Sequence, residues 1–235
     1  QIQLGKEFDK INYSISKIGN KLNFDTKLDI KKTSLKINHL NYKKKKNLKT
    51  QIKIIGNYKK DIGINLNEAS IISKDDRIIL KNFSLNKENR IITFDKVYLD
   101  YYDIENKKNK FQIKRTKNYN YELNGSKFNG NTLISNLLKS KENKDSKMFI
   151  NNINLNLNLS EVYIDEKNIV KKLNGTFFIK DGKVTQTNIL AIFDDSENLT
   201  FTINTRDNGE IITTLFSSRA KPLVKRYNFI KGYEE

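Results

Sequence analysis

From Asn152 to Leu159 the chain alternates without a break: Ile153, Leu155, Leu157 and Leu159 are separated by Asn154, Asn156 and Asn158. Successive side chains of a strand point to opposite faces, so a strand here has one wholly aliphatic face and one wholly amide face. The same period of two recurs at Ile11-Tyr13-Ile15, Leu22-Phe24, Leu28-Ile30, Leu35-Ile37, Leu48-Ile52-Ile54 and Ile62-Ile64-Leu66. It continues at Phe83-Leu85, Val97-Leu99-Tyr101, Phe111-Ile113, Tyr119-Tyr121-Leu123, Phe177-Ile179 and Leu199-Phe201-Ile203.

Turn formers lie between these runs, at Gly19-Asn20, Gly56-Asn57, Lys74-Asp75-Asp76, 106–109, Asp181-Gly182 and Asp207-Asn208-Gly209. Asp181-Gly182 predicts a type I′ hairpin, because both central residues of that turn need φ > 0. A single proline in 235 residues leaves the backbone ladders nearly unbroken. Two segments depart from period two. Residues 131–141 place Leu133, Ile134, Leu137 and Leu138 on one helical face, and residues 217–231 open on serines with Pro222 in an early turn. The reading is a mainly β protein: a long antiparallel meander curled into a groove-like sheet, with two short helices near 131–141 and 217–231. Whether such a sheet stays open or closes on itself is left to the structure. The chain begins at Gln1, and we expect it to be a piece of a longer protein. No apolar run approaches the roughly twenty residues of a membrane-spanning helix.

The formal net charge is +17. Residues 1–180 carry 37 basic against 19 acidic groups, whereas 181–235 carry seven against eight. The excess is lysine, and it travels with heavy use of Asn, Ile, Tyr and Phe, a mixture that an AT-rich genome favours. The densest cluster, Lys43 to Lys46, reads as a solvated hairpin loop rather than a phosphate-binding patch. A basic surface still biases binding toward anionic lipid headgroups; no nucleic-acid partner is expected. There is no cysteine, so neither disulfides nor thiolate chemistry can be invoked. Apolar content is 37%, which suits sheets with one apolar and one polar face better than a thick closed core.

No catalytic or metal-binding constellation emerges, and neither an enzyme nor a cofactor is expected. His39 is the only histidine and reads as a surface residue. Asp75-Asp76 and Asp194-Asp195 are adjacent pairs, which suit turns rather than acid–base catalysis. Ser217-Ser218 has no nearby base. Gly125 to Gly130 lacks the downstream Lys-Ser/Thr of a phosphate loop. Tyr98, Tyr101, Tyr102, Tyr119 and Tyr121 sit at strand spacing and read as sheet packing rather than base stacking.

From Asn124 onward the motif order resembles the AsmA-like C-terminal region. Asn124-Gly125-Ser126-Lys127-Phe128-Asn129-Gly130 running into the first expected helix resembles that region's opening motif. Leu173-Asn174-Gly175-Thr176-Phe177 with Asp181-Gly182-Lys183-Val184 resembles its characteristic hairpin. Leu199 to Ile203, then Leu215 to Leu223, resemble its closing strand and helix. Tyr233 stands where the family has the second glycine of a pair. The likeness implies a module over 124–235 preceded by a strand-rich groove section over 1–123. AsmA-like, YhdP-like and TamB-like proteins are implicated in moving phospholipid between inner and outer membranes and in outer-membrane assembly. The resemblance therefore implies a periplasmic groove, anchored to the inner membrane by a segment absent here, that binds phospholipid acyl chains and works with other envelope proteins.

The residues support that expectation on one physical point. A half-apolar sheet must bury its apolar face on something, and an acyl chain would serve as well as another sheet. The expected lining residues are Ile153, Leu155, Leu157, Leu159, Phe177, Ile179, Leu199, Phe201 and Ile203. The alternative is a basic binding module with a closed apolar core, acting on anionic partners such as lipid headgroups or nucleic acid.

Overall fold

The computed structural model describes residues 2–4, 9–131, 149–193 and 197–219. In chain order the strands are β1 (Ile2–Leu4), β2 (Lys10–Ile18), β3 (Lys21–Ile30), β4 (Leu35–Ile37), β5 (Tyr42–Lys43), β6 (Thr50–Lys59), β7 (Gly63–Ile72), β8 (Arg77–Asn86) and β9 (Ile91–Thr93). They continue as β10 (Lys96–Tyr102), β11 (Lys108–Lys117), β12 (Asn120–Asn129), β13 (Ile153–Tyr163), β14 (Ile169–Lys180), β15 (Lys183–Ile192), β16 (Asn198–Thr205) and β17 (Ile211–Ser217). The period-two segments fall in these strands except at Leu48, Ile62 and Tyr119, which lie in the turns just before β6, β7 and β12.

Fourteen of the strands form one sheet that does not close on itself. Its order is β17-β16-β15-β14-β13-β12-β11-β10-β8-β7-β6-β3-β2, with β9 added beside β8. Neighbours in this sheet are mostly neighbours in sequence, which is the expected meander. Asp181 and Gly182 sit at φ 51° and 75°, as the hairpin reading requires.

The structure corrects the sequence reading in four places. First, β12 and β13 are parallel, with Tyr121 beside Leu155 and Leu123 beside Leu157. A parallel pair needs a long connection that returns the chain to the same end of the sheet. Apart from Asn131, the expected helix at 131–141 lies outside the described residues. The returning chain meets the sheet at Phe149, which bridges Ile91, and the Ile150 N–H donates to the Ile91 carbonyl at 3.0 Å. Second, Gly56-Asn57 is no turn: it lies inside β6, at a bulge opposite β7. Third, Ser217 still belongs to β17, and the Ser218 N–H donates to the Asn198 carbonyl, so the strand extends into the first residue of the expected 217–231 helix. The rest of the expected 217–231 helix, from residue 220, lies outside the described residues. Fourth, Lys44 is not solvated. It is 3% exposed, and its Nζ donates to the Lys31 carbonyl at 2.6 Å. Burial pushes its pKa down.

Bulges explain where the alternation skips. Lys172 adopts φ 51°, and across it Lys171 pairs with Ile192 while Asn174 pairs with Leu190, so β14 carries one residue more than β15 at that point. At Asn82 (φ 48°) β8 changes partner: its first half pairs β10 and its second half pairs β9. The Asp95 N–H bonds the Lys81 carbonyl at 3.1 Å, and the Asn82 amide donates to Asp95 at 2.6 Å, which fixes that crossing.

The small sheet β1-β4-β5, with a 3₁₀ turn at Asn38–Leu40 that carries the exposed His39, belongs to a cap at one end of the large sheet. Leu35 and Tyr42 are fully buried. The Tyr42 ring meets Tyr101 edge-on at 5.5 Å, and the Tyr101 hydroxyl donates to the Leu40 carbonyl at 2.7 Å. The Tyr42 hydroxyl donates to the buried Asp76 carboxylate at 3.1 Å. Next to this cap, Asp103 Oδ2 accepts from the Asn109 and Asn129 amides at 3.2 and 2.7 Å, and Oδ1 accepts from the N–H groups of Glu105 and Lys107. These satisfied polar groups seal the same end.

Asp9 ties the cap down: its carboxylate accepts from the N–H groups of Lys31 at 3.1 Å and Thr33 at 3.0 Å. Hydrogen bonds from Thr33, first through its side chain and then through its backbone, lower the Asp9 pKa from 3.8 to about 2. A depressed folded-state pKa stabilises above the unfolded value and is lost as pH falls through the folded one. The tether is therefore complete above about pH 4 and released by about pH 2. Amide hydrogen exchange at Thr33 should accelerate across that window beyond the intrinsic pH trend, and Asp9→Asn should remove the step. An unchanged protection factor from pH 5 to pH 2 would refute the tether.

Candidate functional site

Register assigns every strand a face. One cross-strand row passes through all thirteen strands of the main path: Tyr13, Thr26, Ile54, Ala69, Leu80, Val97, Ile113, Leu123, Leu157, Gly175, Ile189, Phe201 and Leu215. No charged residue interrupts it. At about 4.8 Å per strand it spans about 60 Å before coiling. Apart from buried Val97, its members are half-buried or exposed.

Toward the capped end, a parallel row runs through Leu28, Ile52, Ile71, Ile78, Leu99 and Phe111, and all six are buried. The apolar face is thus dry along one margin and accessible along the next. It is a trough closed at one end of its strands; at the other end it is exposed at the outer strands and sealed at mid-sheet, where Tyr121, Ile153 and Phe94 are buried. Phe94 spans the gap left where β9 and β10 part, its ring 5.7 Å from Phe83 and 4.5 Å from Tyr121.

All nine expected lining residues fall on this face. Ile153 pairs with Ile179 and Leu155 with Phe177; Phe177 and Ile203 both flank Thr187; Leu199 pairs with Ala191, and Phe201 with Ile189. Ile153, Leu159 and Leu199 are buried, and Leu155, Leu157, Phe177, Ile179, Phe201 and Ile203 are half-buried. The boundary expected between 123 and 124 falls inside β12, and the sheet is hydrogen-bonded continuously across it. The N-terminal strands extend the same face.

Sequence reasoning missed Ile189 and Leu215 as members of the row, and the role of the glycines. Gly125 lies between Phe111 and Leu159, and Gly175 between Leu157 and Ile189. A Cβ on Gly125 would press on the Phe111 Cβ and stand 2.7 Å from the Lys110 carbonyl oxygen. On Gly175 it would press on the Asn188 carbonyl and stand 2.9 Å from the Ile189 Cα. These glycines let neighbouring strands approach, and they deepen the floor of the trough.

The opposite face is mainly polar, interrupted by Ile55, Ile79, Phe178, Leu190 and Phe216. One of its rows reads Lys81, Lys96, Lys114, Glu122, Asn156, Thr176, Asn188, Thr202 and Thr214. Glu68 bridges Lys53 at 3.7 Å and Lys81 at 2.5 Å, and the hydrogen bond from Lys81 leads in holding its pKa below the usual value. Among the described residues no cluster of three His, Cys, Asp or Glu side chains could hold a metal. No helix among them is long and apolar enough to cross a membrane. Set against known proteins, the chain matches no family model, no curated protein and no solved structure, so its likeness to the AsmA-like region rests on motif order alone.

Proposed function

We propose that this chain is a section of a groove that shields phospholipid acyl chains and supports lipid movement between membranes. The observation that carries the reading is the uncharged row from Tyr13 to Leu215, half-buried or exposed except at Val97 and backed by a dry margin. A two-tailed lipid with about thirty methylenes costs about 24 kcal/mol to place in water, at about 0.8 kcal/mol per CH₂. A strip of Leu, Ile, Val and Phe removes most of that penalty. Because the strip repeats from strand to strand, it offers no single site at which a lipid would be trapped. Function then rests on the aggregate surface and not on a reactive group, so the proposal is of a carrier and not an enzyme. The AsmA-like motif order supports the same reading and adds a periplasmic setting, with the membrane anchor supplied by a segment outside this sequence.

The test is direct. Protein purified without detergent should carry phospholipid, detected by native mass spectrometry and by lipid extraction. Protein that is folded, lipid-free, and unable to take up a fluorescent phospholipid would overturn the proposal. A second reading is favoured by one observation: Lys81, Lys96 and Lys114 stand directly side by side on the polar face. Like charges in adjacent strands are unfavourable, and Glu68 on Lys81 and Glu122 opposite Lys114 offset part of that repulsion at the two ends of the run. An anionic partner held there would dissociate steeply with salt.

A further inference from the structure

Two adjacent hairpin tips at the uncapped end of the sheet each present an exposed isoleucine. The β2–β3 tip presents Ile18, 71% exposed, and the β6–β7 tip presents Ile62, 50% exposed. Because β3 pairs with β6, the two tips are neighbours. They enclose a cleft of about 590 Å³ lined by Ile18, Gly19, Asn20, Lys21, Lys59, Lys60, Asp61 and Ile62. Each strand step rotates the sheet by about 20–25°, so only adjacent tips can meet one flat surface together.

Charge and apolarity at this corner are arranged in a definite way. Lys21 lies directly opposite Lys59, Lys17 and Lys60 flank them, and Asp61 is the single carboxylate lining the cleft. Among the described residues, none of these four lysines forms an ion pair with a carboxylate. Behind the tips, Leu22 and Tyr58 face each other in register at 36% and 40% exposure, with Lys17 opposite Leu22, and Phe24 follows on the same face ahead of the uncharged row. The next tip along the sheet, Lys87-Glu88-Asn89-Arg90, has no aliphatic apex.

We infer that these two tips seat the trough on a bilayer surface rich in anionic lipid. Ile18 and Ile62 enter the interface, and the four lysines lie at the level of the headgroup phosphates. The pairing of apolar apex and basic collar is what a charged membrane interface accommodates. A nucleic acid would meet the lysines but leave the isoleucines in water. The inference rests on the groove reading, since the tips then bring the mouth of the trough to its source or sink of lipid.

The chain contains neither tryptophan nor cysteine, so introduced reporters are unique. Ile18→Trp and Ile62→Trp, both at exposed positions, should blue-shift on vesicles containing phosphatidylglycerol, and brominated lipids should quench them. Glu166→Trp, in the turn at the opposite end of the sheet, should do neither. Binding to pure phosphatidylcholine vesicles should be about tenfold weaker or more, and Lys21→Glu with Lys59→Glu should erase the difference. Should a tryptophan variant fail to fold, Ile18→Cys carrying an environment-sensitive dye gives the same readout. Tip reporters that stay unshifted while a fluorescent fatty acid still enters the trough overturn the docking inference and spare the groove. A fatty acid that never binds overturns the groove itself. A DNA 30-mer that displaces the vesicles without shifting the tip reporters also overturns the docking inference, in favour of a polyanion site.

Discussion

Aspartate at Leu157 or Phe201 should abolish acyl-chain uptake and leave the protein folded. Both side chains are half-buried members of the uncharged row, where a carboxylate can remain hydrated while the trough is empty. An acyl chain lying over the row would strip that water away, and a desolvated, unpaired charge is costly enough to exclude it. Val170→Asp is the contrasting case. Val170 is completely buried beside Val162 near the capped end, so a charge there should remove about 3–5 kcal/mol, a large share of the stability of any domain. Far-UV circular dichroism, urea midpoints and uptake of a fluorescent phospholipid separate the outcomes. If Leu157→Asp unfolds the chain as Val170→Asp does, the face is a closed core. If it folds and still takes up lipid, the row is not the binding surface.

Gly175→Val should act in the opposite sense, on the fold before the function. The added Cβ meets the Asn188 carbonyl and the Ile189 Cα, both main-chain atoms of β15 that cannot rotate aside as a side chain would. Forcing β14 and β15 apart should cost about 2–3 kcal/mol. For a chain of this length that lowers the melting temperature by about 5–10 °C. Gly209→Ala separates the two costs: nothing lies within 4 Å of a Cβ there, so only its φ of 82° opposes a side chain. A Gly175 variant as stable as wild type would show that the strands do not approach as closely as described.

The apolar face was legible in the sequence because it depends only on local alternation. Ile153 to Leu159 and Leu199 to Ile203 needed no tertiary information to be assigned one face. Three features did need it. Gly56-Asn57 has the composition of a tight turn, yet Gly56 is a glycine because Phe24 and the Asn65 carbonyl crowd it inside the sheet. Lys44 sits in a run of four lysines, and nothing in that run reveals that it reaches the Lys31 carbonyl thirteen residues away. The parallel seam between β12 and β13 depends on where a long connection returns, a fact carried by Ile91 and Phe149, which are distant in sequence. Ile189 escaped notice because Thr187 breaks the apolar alternation of β15, although its period of two with Ala191 and Phe193 is intact.

Because each strand of the large sheet pairs only with its immediate neighbours, the molecule behaves thermodynamically more like a row of coupled links than like a globule with a centre. Stability in such an array is a sum of nearest-neighbour terms. Opening should begin at β2, whose residues are all exposed, and work inward one hairpin at a time. Native-state hydrogen exchange would then show a staircase of opening energies instead of one global step. A lesion in β16 would loosen its own margin and leave amides in β6 at their original protection. The same modularity lets such a sheet be lengthened by whole hairpins without redesigning what is already there.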